Sequence, residues 1–164
     1  MKKILYFSIA VLGLSTIACT KDNESVRNQI ETTLPAIEMT SMGLVNQVGP
    51  FSTSDAIQVS FNGAITNNGG GTFDFAWYDG NTRVDSIHFP NWDTTASAGG
   101  TKVHTISTKW APTTYANTWT FSGSLIMQLS KLTGTGKAYT LFLYARTNDN
   151  KLATVSTSKF ITMK

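Results

Sequence analysis

Ile57-Gln58-Val59-Ser60-Phe61-Asn62 alternates apolar and polar side chains without a break. In an extended chain successive side chains point to opposite faces, so this period of two puts Ile57, Val59 and Phe61 on one face. A helix would need its apolar residues three and four apart, and they are not. The same alternation recurs on either side. Phe73, Phe75 and Trp77 alternate with Asp74, Ala76 and Tyr78. Tyr139, Leu141, Leu143 and Ala145 alternate with Thr140, Phe142, Tyr144 and Arg146. Trp119-Phe121 and Leu125-Met127-Leu129 flank Gly123, which predicts a bulge or bend in one long strand. Weaker patterns predict strands over Ala36–Met42, Arg83–Phe89, Lys102–Trp110 and Leu152–Met163. Between them stand turn formers: Asn67 to Gly71, Asp79-Gly80-Asn81, Ser97 to Gly100, Gly134-Thr135-Gly136 and Asn148-Asp149-Asn150. About 7–9 short strands with no helical period between them predict an all-β, antiparallel sandwich or barrel.

Composition agrees. The chain has 164 residues, of which 41% are hydrophobic, 11% aromatic and only 14% charged. A disordered chain would be charge-rich and poor in aromatics. The single cysteine excludes an intramolecular disulfide. The net charge of +3 includes Lys2 and Lys3, and without them 11 basic side chains face 10 acidic ones, or +1. So balanced a surface argues against nucleic acid as a partner. The charges are nevertheless unevenly spread. Lys21 to Asp93 holds 3 basic and 9 acidic residues, and Thr94 to Lys164 holds 8 basic and 1 acidic. Strands from the two halves interleave in a sandwich, so the halves either form two charged faces or cancel.

Lys2 and Lys3 precede an apolar run from Ile4 to Leu14, too short for a typical membrane span, and Ala18 stands directly before Cys19. This arrangement resembles the signal peptide and lipobox of bacterial lipoproteins. The resemblance implies removal of residues 1–18, acylation of Cys19 with palmitate-type chains, and a membrane partner reached through that anchor. Two or more acyl chains hold a protein stably on a bilayer. Thr20, where an Asp would retain the protein, implies passage to the outer membrane. Lys21-Asp22-Asn23-Glu24 resembles the tract that follows the cysteine in surface-exposed lipoproteins of the Bacteroidota, which implies display at the cell surface. Residues 19–33 would be the acylated cysteine and a flexible tether of roughly 20 Å root-mean-square span, and residues 34–164 the folded domain. Asp85-Ser86-Ile87 and Asp93-Thr94-Thr95 are similar to the O-glycosylation pattern of exported Bacteroidota proteins, which makes Ser86 and Thr94 candidate glycan acceptors.

Trp77 at a strand end, followed by Asp79-Gly80-Asn81, and Leu132 leading to Tyr139 and Leu141, resemble strands C and F of an immunoglobulin-like domain. In that fold Trp77 is the core tryptophan, and the Tyr139 hydroxyl reaches back to the backbone as a tyrosine corner. The two cysteines that bridge the sheets in antibodies fall near Phe61 and Leu141, both apolar here. Fibronectin type III domains share the bridge-free pattern. A single immunoglobulin-like β-sandwich without a disulfide is the implied architecture, and it carries no activity with it.

Catalytic chemistry is hard to assemble from these residues. His88 and His104 lie in different predicted strands without metal-ligand spacing, and no nucleophile elbow is present. A zinc site would need three or four ligands. The expectation is therefore a protein that is not an enzyme and needs no metal or cofactor. Two segments offer binding residues. In His88-Phe89-Pro90-Asn91-Trp92-Asp93, expected as a loop, Trp92 is either a plug over the sandwich edge or an exposed platform for a sugar ring. Trp110 and Tyr115 follow in the next connection, and Trp119 is expected to face the core. The functional expectation is a lipid-anchored outer-membrane protein with a non-catalytic binding or adhesion domain for a glycan, an envelope protein or a host surface. The alternative is a structural accessory subunit of an outer-membrane assembly.

Overall fold

A computed structural model describes residues 37–66, 70–93, 104–156 and 161–164. Cys19, the leader and tether assigned to residues 1–33, and Thr94 lie outside the described residues. Among the described residues the elements are all strands: β1 (Ile37–Leu44), β2 (Ala56–Thr66), β3 (Gly71–Asp79), β4 (Thr82–Trp92), β5 (Thr105–Pro112), β6 (Thr118–Gln128), β7 (Ala138–Thr147), β8 (Leu152–Ser156) and β9 (Ile161–Thr162). One sheet has the order β1-β2-β6-β5, the other β4-β3-β7-β8, with β9 also paired to β7. Every strand pairing is antiparallel. In immunoglobulin lettering this is A-B-E-D facing C′-C-F-G, a β-sandwich of that family's architecture without a disulfide.

The alternation of Ile57, Val59 and Phe61 does what its period implies: all three are fully buried, and so are Phe73, Phe75, Leu141 and Leu143 of the facing sheet. Trp77 lies among them, and its indole N–H donates to the Met127 sulfur at 3.2 Å, joining β3 to β6 across the sandwich. The Tyr139 hydroxyl donates to the Thr133 carbonyl, the backward reach of a tyrosine corner. Phe61 and Leu141 are both fully buried. Phe61 meets Phe73 and Phe75 edge-on at 5.3 and 5.5 Å between ring centroids, so aromatic packing joins the sheets there.

Three strand expectations need correction. The pairing of β6 with β2 and with β5 runs through Gly123 without a register shift, so no bulge lies there. Gly123 instead sits opposite Phe61, and a Cβ at this position would fall inside the Phe61 ring. Gly63 and Phe121, the next inward-facing pair, repeat the arrangement. The predicted strand Leu152–Met163 is two pieces, β8 on one end of β7 and β9 on the other. Through β9, Met163 accepts from the Gly136 amide at 2.8 Å and donates to the Lys137 carbonyl at 2.9 Å, and its neighbours bond Phe51 on the other side. Finally, β4 continues through Pro90 to Trp92 where a loop was expected. It is the edge of its sheet, and an edge tolerates a residue without an N–H.

Candidate functional site

The extension of β4 decides the fate of Trp92. Phe89 pairs with Phe73, but Trp92 pairs with Gly71, so three residues of β4 span the same stretch as two of β3. Without that bulge Trp92 would have the opposite parity to the inward Phe89 and would face solvent. With it, Trp92 turns inward and is 4% exposed. Its indole lies over Gly71, where a Cβ would come within 2.6 Å of the ring. It stacks on Phe73 at 5.2 Å and on Trp110 at 5.0 Å, in the latter case with planes only 1° apart.

The structure thus brings Trp92 and Trp110 together, but as an inter-sheet stack and not as a sugar platform. Of the two alternatives for Trp92, the plug is the one the burial supports, and its place as a ligand-binding residue is corrected. Trp110 is half-buried, faces Phe121 at 4.6 Å and donates its N–H to Thr108 Oγ1 at 3.2 Å. Trp119 is half-buried and packs on the core. Tyr115, at the tip of the β5–β6 hairpin, is 76% exposed and is the one expected aromatic turned to solvent. Ser86 lies within β4, half-buried, and its hydroxyl accepts from the Arg83 guanidinium at 2.9 Å.

A second aromatic cluster, half-buried like Trp110, lies on the opposite outer face and was not singled out from the sequence. On the outer face of the second sheet the register aligns Arg83-Tyr78-Thr140, then Ser86-Ala76-Phe142, then His88-Asp74-Tyr144, then Thr72-Arg146. Tyr78 and Tyr144 are two rows, about 14 Å, apart along the strands, yet their hydroxyls are 3.2 Å apart. Both side chains must therefore lie along the sheet and meet over the row between them. Ala76, in that row, points outward yet is only 1% exposed. Phe142 fills the same space, edge-on to Tyr78 at 5.1 Å and nearly parallel to Tyr144 at 6.2 Å. The hydrogen bond with Tyr78, then burial, then the neighbouring phenol's charge push the Tyr144 phenol up to about 12, while Arg83 pulls it down. Arg83 stands directly across from Tyr78 in the register. His88 Nδ1 and Asp74 Oδ1 share a hydrogen bond at 2.6 Å. Arg146 donates to Asn150 Oδ1 at 2.6 Å across the β7–β8 turn.

One signal for this face was present in the sequence. Leu141-Phe142-Leu143-Tyr144-Ala145 is apolar or aromatic on both faces, where a strand with one wet face would alternate. The clue for the partner was absent, because Tyr78 lies 66 residues from Tyr144.

The uneven charges of the two halves meet in pairs. Lys131 bonds Asp85 at 2.9 Å and Lys137 bonds Asp79 at 2.6 Å, each joining a second-half lysine to a first-half carboxylate. The asymmetry therefore cancels locally at these positions. His88 lies on the second sheet, and His104 immediately precedes β5 of the first. Burial, the main cause, holds the His104 imidazole below its ordinary value. Among the described residues, no group of three or more His, Cys, Asp or Glu is placed to hold a metal ion. A depression of about 320 Å³ lies on the first sheet's outer face, lined by short side chains such as Thr40, Asn62, Thr120 and Ser122 with Lys109. Trp110 and Phe121 also line it, but it has no pair of hydroxyls bonded to each other like that of Tyr78 and Tyr144.

No family model and no curated protein matches the chain. Solved structures do. The chain is similar to a DUF4466 family protein from Parabacteroides merdae at TM-score 0.42 and 9% identity, over 78% of this chain and 45% of that one. It is similar to astrotactin-2, a vertebrate-specific, perforin-like membrane protein involved in neuronal development, at TM-score 0.38 and 15% identity, over 75% and 22%. A superoxide reductase from Ignicoccus hospitalis follows at TM-score 0.33 and 10% identity, over 77% and 82%. The matched region thus spans less than half the length of the first two.

Proposed function

We propose that this chain is an outer-membrane lipoprotein, anchored through Cys19, whose immunoglobulin-like domain is a non-catalytic binding module. The observation that carries the binding reading is the outer face of the second sheet, where Tyr78, Phe142 and Tyr144 form one cluster flanked by Arg83 and Arg146. Tyrosine and arginine are the residues that dominate recognition surfaces. They offer large contact area with few rotatable bonds, together with fixed donors. A solvent-facing strand surface can be covered by polar side chains, so three aromatics gathered there support contact with a partner.

The test has two parts. Metabolic palmitate labelling of the protein is expected to vanish in Cys19→Ser, and protease shaving of intact cells is expected to remove the domain. The double variant Phe142→Ala/Tyr144→Ala is expected to lose binding to a panel of glycans and immobilised envelope fractions while retaining a cooperative melt. Unchanged binding by the folded double variant would overturn the assignment of this face. Protection from protease until the outer membrane is broken would instead favour the accessory-subunit reading.

A further inference from the structure

Granting that this face binds, we infer that it takes an acidic saccharide: an oligomer of pyranose units bearing carboxylates, stacked on the Phe142 and Tyr144 rings with its carboxylates on Arg83 and Arg146.

Charge supplies the first argument. The three lysines of the ion pairs face carboxylates: Lys131 with Asp85, Lys137 with Asp79, Lys151 with Asp149. Among the described residues, the side-chain hydrogen-bond partners of the two arginines are neutral, Ser86 Oγ for Arg83 and Asn150 Oδ1 for Arg146. Two guanidinium charges thus flank the aromatic cluster against one carboxylate within it, Asp74, which shares a hydrogen bond with His88 at 2.6 Å, so the face carries more positive than negative charge. A guanidinium fork bonds a carboxylate through two parallel N–H donors, so the complementary ligand group is a carboxylate.

Shape supplies the second. Tyr78 and Tyr144 lie along the sheet and cover Ala76, so among the described residues this part of the face is filled in and offers no hole over Ala76 for a protein partner's anchor residue. A shallow aromatic surface suits the C–H face of a sugar ring, whose hydrogens meet the negative face of the π system. The paired tyrosine hydroxyls sit beside it as preset hydrogen-bonding groups for sugar hydroxyls. Length supplies the third. Arg83 and Arg146 stand three rows apart, about 20 Å along the strands, a span that calls for an oligomer and not a single sugar.

The experiment uses the full chain in detergent micelles with four probes: oligogalacturonate, the same oligomer fully methyl-esterified, oligosialate and poly-glutamate. Oligogalacturonate or oligosialate is expected to bind, and which of them binds identifies the acidic sugar. Affinity is expected to fall about tenfold or more in Arg83→Gln, the scale of one lost charge-assisted hydrogen bond. It is expected to fall comparably in Phe142→Ala and on methyl esterification, with Arg83→Lys intermediate. Near-ultraviolet circular dichroism shows whether each variant keeps its packing. Equal binding of poly-glutamate would overturn the inference in favour of an acidic protein partner. Equal binding of the methyl ester would overturn the acidic requirement while leaving the binding face intact, and binding by no saccharide would overturn the inference outright. The loss of envelope or glycan-panel binding in the Phe142→Ala/Tyr144→Ala variant stands or falls separately.

Discussion

Gly123 and Phe61 are cross-strand partners, and the aromatic ring occupies the space a Cβ would need. Gly123→Ala must push that ring out of a cluster it shares with Phe73, Phe75 and Phe121. The expected cost is about 1–3 kcal/mol, the range for overpacking a well-filled core, read from the urea midpoint. Gly43, with nothing near its Cβ, is the control: Gly43→Ala is expected to leave the midpoint close to the parent's. The other residue-scale prediction concerns Tyr144. Its phenol is raised from 10.0 to about 12, first by the hydrogen bond with Tyr78. Between those values the folded protein keeps a proton that the unfolded chain releases. This contribution to stability is therefore fully present below pH 10 and is lost as the pH rises towards 12. Ultraviolet titration of phenolate should show a late-ionising tyrosine, and Tyr78→Phe should bring that ionisation to lower pH. If Tyr78→Phe leaves the titration unchanged, the two hydroxyls are not joined in solution.

At the scale of an element, the β4 bulge matters most. One extra residue between Phe89 and Trp92 turns Trp92 from solvent to core. Deleting Asn91 should restore simple alternation and expose the indole. The fluorescence should shift to the red, and stability should fall by about 3–5 kcal/mol, the scale of losing a large aromatic from a core. Asn91→Ala keeps the bulge and should stay within about 0.5 kcal/mol of the parent, as exposed substitutions usually do. If the deletion variant keeps a buried Trp92, the bulge does not set its direction. The edge position of β4 is what allows the irregularity, since Pro90 there interrupts no interior ladder.

At the scale of the molecule, the far end of the described chain closes the sandwich. Ile161 and Met163 are both buried, and Met163 and its neighbours bond the start of β7 and the Phe51 segment. Removing residues 161–164 should cost about 3–6 kcal/mol, from two large apolar side chains at roughly 1.5–3 kcal/mol each. Limited proteolysis should then cut the domain readily, whereas the parent resists; equal resistance would mean that β9 is dispensable. The cross-half ion pairs act on the same scale. They join carboxylates on or beside β3 and β4 to lysines that follow β6, so the charges that look segregated along the chain are neighbours in space.

Much of the fold could be read locally. The period of two in Ile57–Phe61 and Phe73–Trp77 is a property of extended backbone, and it places the buried residues without knowledge of any partner strand. Trp77 and Tyr139 occupy the core and corner positions that the resemblance to an immunoglobulin-like domain implied. The surface was different. Whether Trp92 faces in or out depends on one extra residue relative to β3, which β4 alone does not reveal. The cluster of Tyr78 with Phe142 and Tyr144 depends on β3 lying beside β7, a contact between residues more than sixty apart in the chain. The alternation of side chains is set by each strand's own backbone, whereas register and the meeting of outer faces are set by pairing between strands, and only the tertiary structure decides that pairing.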